Sequence, residues 1–94
     1  MIIHIQNFKT SDVYQLLKDG AEHRFELEFN HKNKIGYIDL IYFDNNQNGW
    51  VIIDFKTGEQ TSQKIKKYRE QLEFYEEVLS EIGMDVVDKK ILWI

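Results

Sequence analysis

Residues 35–43, IGYIDLIYF, are apolar at both alternating sets of positions. A strand of that kind needs cover on both faces, so it belongs inside a sheet with a layer on each side. The polar run DNNQNG (44–49) is a strong turn signal, and WVIIDFK (50–56) is a second apolar strand. The two predict an antiparallel hairpin. Before them, EHRFELEF (22–29) alternates. His23, Phe25, Leu27 and Phe29 fall on one face and Glu22, Arg24, Glu26 and Glu28 on the other, which predicts a half-buried strand. NHKNK (30–34) reads as a polar hairpin loop joining it to the next strand.

Helices flank this meander. TSDVYQLLKDG (10–20) has a start signal at Thr10 or Ser11, an apolar face of Val13, Leu16 and Leu17, and a stop at Gly20. TSQKIKKYREQLEFYEEVLSEIG (61–83) is predicted as a long helix. Ile65, Tyr68, Leu72, Tyr75, Leu79 and Ile82 form its apolar stripe, Thr61 or Ser62 caps it and Gly83 ends it. KKILWI (89–94) closes the chain as an apolar strand, and residues 2–5 suggest a further short one. The order is α-β-β-β-α-β. Three meandering strands followed by a helical crossover give an α/β (α+β) fold with a mixed sheet.

The chain has 94 residues, which predicts a single domain with one modest core. No cysteine is present, excluding disulfides, thiolate zinc sites and cysteine-held iron–sulfur clusters, as suits a cytoplasmic protein. No apolar run approaches the ~20 residues that span a bilayer, so no membrane is expected. Lys and Arg number 12 against 16 Asp and Glu, a net charge of −4. A tight stand-alone nucleic-acid binder is usually basic. Here a local basic patch, a divalent metal or a larger assembly has to supply any attraction to DNA.

Charge appears where core is expected. Asp39 interrupts the central strand, and Asp54 and Lys56 share one face of the next. A hairpin centred near residues 46–47 sets Asp39 across from a position close to Asp54. Paired carboxylates in a sheet repel and cost several kcal/mol unless compensated. A hard divalent cation compensates them, typically with one or two carboxylates plus water and phosphate as ligands. A lysine beside it orients water or stabilises charge on a phosphorane-like transition state. The set fits metal-assisted phosphodiester hydrolysis. A strand-end Asp as a turn residue, with a solvated Lys nearby, is the bland alternative.

GYIDLI (36–41), IIDFKTG (52–58) and YREQLEFY (68–75) together resemble the PD-(D/E)xK nuclease superfamily, within it the RecB/AddA-like branch. AEHRF (21–25) is similar to the segment preceding the first of these motifs. The resemblance covers over half the chain and implies a restriction-endonuclease-like core. It implies that Asp39 and Asp54 bind Mg²⁺ or Mn²⁺, with Phe55 offering its backbone carbonyl, and that Lys56 is catalytic. Gln71 and Tyr75 match the family's Gln-x-x-x-Tyr helix motif, and a step of four puts both on one helix face. The implied partners are DNA and a helicase domain or subunit, and the implied setting is DNA repair and recombination. The chain then stands as a minimal nuclease or as the C-terminal part of a longer helicase-nuclease.

The branch commonly carries a His or Glu on an upstream helix. His4 is the only upstream histidine here. His23 reads as a core-edge residue and His31 as a solvated loop residue, while Glu22 or Glu28 either approaches the metal or, more simply, lies on a solvated strand face. Trp50 and Trp93 read as core or core-edge. In KIKKYR (64–69), Lys64 and Lys67 either contact phosphate or line a solvated face, and Tyr68 either stacks on a base or packs. A nuclease-fold module without activity, serving DNA binding or protein assembly, stands as the alternative to an enzyme.

Overall fold

The computed structural model describes residues 12–93. The elements run α1 (Asp12–Lys18), β1 (His23–His31), β2 (Lys34–Asp44), β3 (Gly49–Lys56), α2 (Ser62–Glu81) and β4 (Val86–Trp93). The expected helix start at Thr10 or Ser11 and the strand at 2–5 lie outside the described residues. The sheet order is β1-β2-β3-β4, antiparallel except for the parallel β3–β4 pair. Two parallel neighbours need a long crossover, and α2 is that crossover. The fold is α+β with a mixed four-stranded sheet, consistent with the restriction-endonuclease-like class.

Local chemistry sets the boundaries. Thr61 Oγ1 accepts from the Lys64 amide at 3.2 Å and caps α2. At its other end the Met84 amide donates to Leu79 O (3.0 Å) and the Gly83 amide to Ser80 O (3.1 Å). With Gly83 at φ 87, this is a Schellman stop. Asp44 accepts from the Asn46 amide at 2.9 Å and from Gln47 Nε2 at 2.9 Å, which ties the β2–β3 turn.

The core has two layers, one on each side of the sheet. Leu72, Tyr75 and Leu79 of α2 pack with Ile38, Ile41 and Ile52. Val13 of α1 packs with Leu40, Tyr42, Val51 and Ile53 on the opposite side. The central strand is thus covered on both faces.

The simple alternation expected of β1 and β2 fails at one row. Ile38 and Leu40 are two apart, yet they belong to opposite layers. The β1–β2 ladder skips there, passing from Phe25↔Leu40 to Leu27↔Ile38. Glu26, in the skipped position, sits at φ 51, a region costly for a residue with a Cβ. The hairpin changes face at Glu26 and Asp39. Leu27 and Phe29 therefore pack with the α2 layer, while Phe25 sits beside Leu40 and stays 49% exposed. That corrects the expectation of one continuous apolar face.

Other boundaries also shift. The loop at 30–34 is a two-residue turn, Lys32–Asn33, with φ of 50 and 65, and His31 pairs with Lys34 in the ladder. Consecutive positive φ values match the twist of a tight hairpin. His31 is buried rather than solvated. His23 is exposed, with Nδ1 2.9 Å from Ala21 O. The last strand starts at Val86, three residues earlier than expected, because Val86 already pairs with Trp50. Ile82, counted in the apolar stripe, is the C-cap of α2 and 69% exposed; Val78 is buried instead.

Gly36 and Gly49 are fixed by space. A Cβ on Gly36 would lie 2.6 Å from Phe29 Cζ. That ring makes edge contacts with Phe74 (5.9 Å) and Tyr75 (5.7 Å), so it has nowhere to retreat. Gly36→Ala is expected to lower stability by about 1–3 kcal/mol, read by urea denaturation. Restoring room with Phe29→Leu in the same chain should recover part of the loss.

Candidate active site

The site begins where two strands part. The β2–β3 ladder ends at Leu40↔Ile53, one step before Asp39 would face Asp54. The β3–β4 ladder continues to Lys56↔Trp93. Beyond Leu40, the Phe55 amide donates not to a backbone carbonyl but to Asp39 Oδ2, at 2.8 Å. A side chain has taken the place of the ladder. This both holds the splayed strands together and fixes the Asp39 carboxylate against the start of the DFK segment.

Asp54 is 3% exposed. Its carboxyl lies within hydrogen-bonding reach of Asp39. Burial is the main cause that pushes Asp54 up to about 6, the Asp39 hydrogen bond adds to it, and the Lys56 charge pulls the other way. Lys56 Nζ is 3.2 Å from Asp54 Oδ2, close enough for charge attraction. That oxygen nonetheless has no hydrogen-bond partner and no solvent access. Two adjoining carboxylates, one of them buried, set against a single ammonium fit a further cation: they call for a proton or a metal ion between them.

The neighbours shape this corner. Lys56 Nζ stands 4.4 Å from the centroid of the Tyr68 ring, a cation–π contact that restrains the ammonium in addition to Asp54. Trp93 flanks Tyr68 at 6.0 Å. Tyr75 is buried in the α2 layer. Its hydroxyl is pushed up to about 12, by burial first and then by the charges of Asp54 and Asp39. A phenol held neutral beside two acids is a fixed proton donor. Lys56, Lys67, Tyr68, Glu70 and Gln71 line a cleft of about 460 Å³. The Gln71 Oε1 is a second buried oxygen without a partner.

Asp39, Asp54, Lys56 and Tyr75 thus meet in one place, with Tyr68, Gln71 and Lys67 beside them. Lys64 is exposed on the first turn of α2 and does not line the cleft. Phe55 contributes its amide to Asp39, and its ring packs with the α1 layer. Tyr68 packs under Lys56. Sequence reading missed the face change at Glu26, beside Asp39 in the β1–β2 ladder. No residue type in that stretch announces it.

A family model described as the PD-(D/E)XK nuclease superfamily matches residues 10–91. The chain belongs to the PD-(D/E)XK nuclease superfamily. No individual curated protein and no solved structure matches it. PD-(D/E)XK nucleases hydrolyse phosphodiester bonds and typically use a divalent metal, and membership implies a nucleic-acid substrate. The matched span takes in every element from α1 into β4. No helix among the described residues is long and apolar enough to cross a membrane.

The raised Asp54 has a consequence for stability. The folded state holds this proton more tightly than the unfolded chain, whose ordinary value is 3.8. The contribution is therefore fully present below about pH 4 and is lost as pH rises through about 6. With divalent ions chelated, Asp54→Asn should be more stable than the native chain at pH 7.5, by up to roughly 3 kcal/mol. The difference should shrink toward zero near pH 4. Denaturant melts across that range read it directly, and a gap independent of pH would contradict it.

Proposed function

We propose that this chain is a metal-dependent deoxyribonuclease of the RecB/AddA-like kind, acting in DNA repair or recombination. The observation that carries it is the adjoining Asp39–Asp54 pair, buried at Asp54 and set beside Lys56. Asp39 and Asp54 would hold Mg²⁺ or Mn²⁺, with the Phe55 carbonyl as a further ligand. When bound, the ion supplies Lewis-acid polarisation of a phosphate and a lowered pKa for attached water. Lys56, fixed between Asp54 and Tyr68, orients the attacking water and stabilises charge building on the phosphate oxygens. Tyr75 keeps its proton and donates toward the acids. Gln71 offers its amide to the cleft.

Charge along α2 supports a nucleic-acid substrate. Its first half carries Lys64, Lys66, Lys67 and Arg69, none of them ion-paired among the described residues. Glu70 is the one acid in that half, and the second half carries Glu73, Glu76, Glu77 and Glu81. Cations at a helix N-terminus oppose the macrodipole, so stability does not favour this arrangement. A phosphate backbone running past the cleft does. This local patch answers the acidic balance of the whole chain.

A second reading, a nuclease-fold module for DNA binding or assembly without activity, is favoured by the histidines. Among the described residues neither His23 nor His31 approaches Asp54: one is bonded at Ala21, the other at Glu81. His4 lies outside the described residues.

Cleavage of single- and double-stranded DNA with Mg²⁺ or Mn²⁺ separates the two. The enzyme reading expects metal-dependent cleavage that falls at least about 100-fold in Asp54→Ala and in Lys56→Ala. Cleavage unaltered in both variants, or none with any metal, contradicts it. Tyr68→Phe, which keeps the ring under Lys56, should retain most activity, while Tyr68→Leu should lose about tenfold or more. Equal loss in both would mean that the hydroxyl matters, not the ring.

A further inference from the structure

At the other end of α2, a histidine and two glutamates converge in a place the nuclease chemistry does not use. Glu81 lies six residues beyond Tyr75, roughly 9 Å further along the helix. His31 ends β1 and is 8% exposed. Its Nδ1 is 3.1 Å from Glu81 Oε2, and its Nε2 is buried with no hydrogen-bond partner. Phe74 walls the imidazole at 5.7 Å. Glu77 stands one turn before Glu81, on the same helix face. One donor atom from each of the three residues lies within 4.8 Å of the other two. Lys32 Nζ reaches Glu77 only at 3.9 Å.

We propose that His31, Glu77 and Glu81 form a second metal centre, which takes a divalent transition ion such as Zn²⁺ and fastens the β1–β2 turn to the end of α2. The donor set is one imidazole nitrogen and two carboxylates, a combination suited to Zn²⁺ rather than Mg²⁺. Zinc bonds of 2.0–2.1 Å place tetrahedral ligand atoms about 3.4 Å apart. The His31–Glu81 separation is already near that value. Glu77 is half-exposed and free to rotate inward, with Lys32 leaving to solvent. A dication balances the two carboxylates, which one distant ammonium does not. Burial has already fixed the imidazole ring, so the least mobile ligand is in place before binding. The Nδ1 that faces Glu81 is the ring nitrogen placed to bind.

The test uses the full chain carrying Asp39→Asn and Asp54→Asn, so that any ion taken up is independent of the nuclease site. After chelator treatment, calorimetric titration with Zn²⁺ should show one saturable ion per chain. Zn²⁺ should raise the melting midpoint, and Mg²⁺ should not. Adding Glu77→Gln and Glu81→Gln, both at exposed positions, should weaken Zn²⁺ binding at least tenfold and abolish the shift. Circular dichroism checks that these variants stay folded, which a change at buried His31 would not guarantee. No saturable Zn²⁺ uptake, or uptake unchanged by the two glutamine substitutions, overturns the proposal.

Discussion

The structure turns on the replacement of one ladder bond by a side chain. Where β2 and β3 part, the Phe55 amide would be left without a backbone acceptor, and Asp39 supplies one. A buried amide without a partner costs about 1–3 kcal/mol, so the carboxylate cannot leave without loss. Its position there brings it against Asp54, and the repulsion between the two raises the affinity of the pair for a proton or a cation. Local backbone satisfaction and cation affinity therefore have one cause.

The surrounding packing holds that arrangement in a state the apo protein does not favour at neutral pH. Tyr75 is anchored among Phe29, Phe74 and the sheet, and the charges of the two acids reach its hydroxyl. Phe29 reaches Tyr75 only because Gly36 leaves it room across the hairpin. Lys56 is clamped between an acid and an aromatic ring, a geometry that restrains a long side chain which would otherwise sample many rotamers. The parallel β4 strand places Trp93 behind that ring. The core thus supports the site at the expense of stability, as is common where function needs close like charges.

Much of this was legible in the sequence because it follows from short-range periodicity. The element order, the central placement of residues 35–43 and the cross-strand neighbourhood of Asp39 and Asp54 came from alternation and one turn. Gln71 and Tyr75 share a helix face by spacing alone. What was not legible has a physical reason. Alternation assumes that a strand keeps its faces, and Glu26 at positive φ breaks that assumption, which misplaces Phe25. His31 looked like a loop residue because its neighbours are polar, but a two-residue turn at Lys32–Asn33 keeps it in the ladder under α2. Ile82 followed the helical repeat one residue too far, past the point where Gly83 ends the helix.

The central claim is that Asp39 and Asp54 share a divalent cation. Anomalous diffraction from crystals soaked in Mn²⁺ tests it most directly, because it locates the ion. The account predicts a peak within ~2.2 Å of an oxygen from each carboxylate, lost in Asp54→Asn. A peak that ignores these two residues, or their corner left without manganese at saturating concentration, would contradict it.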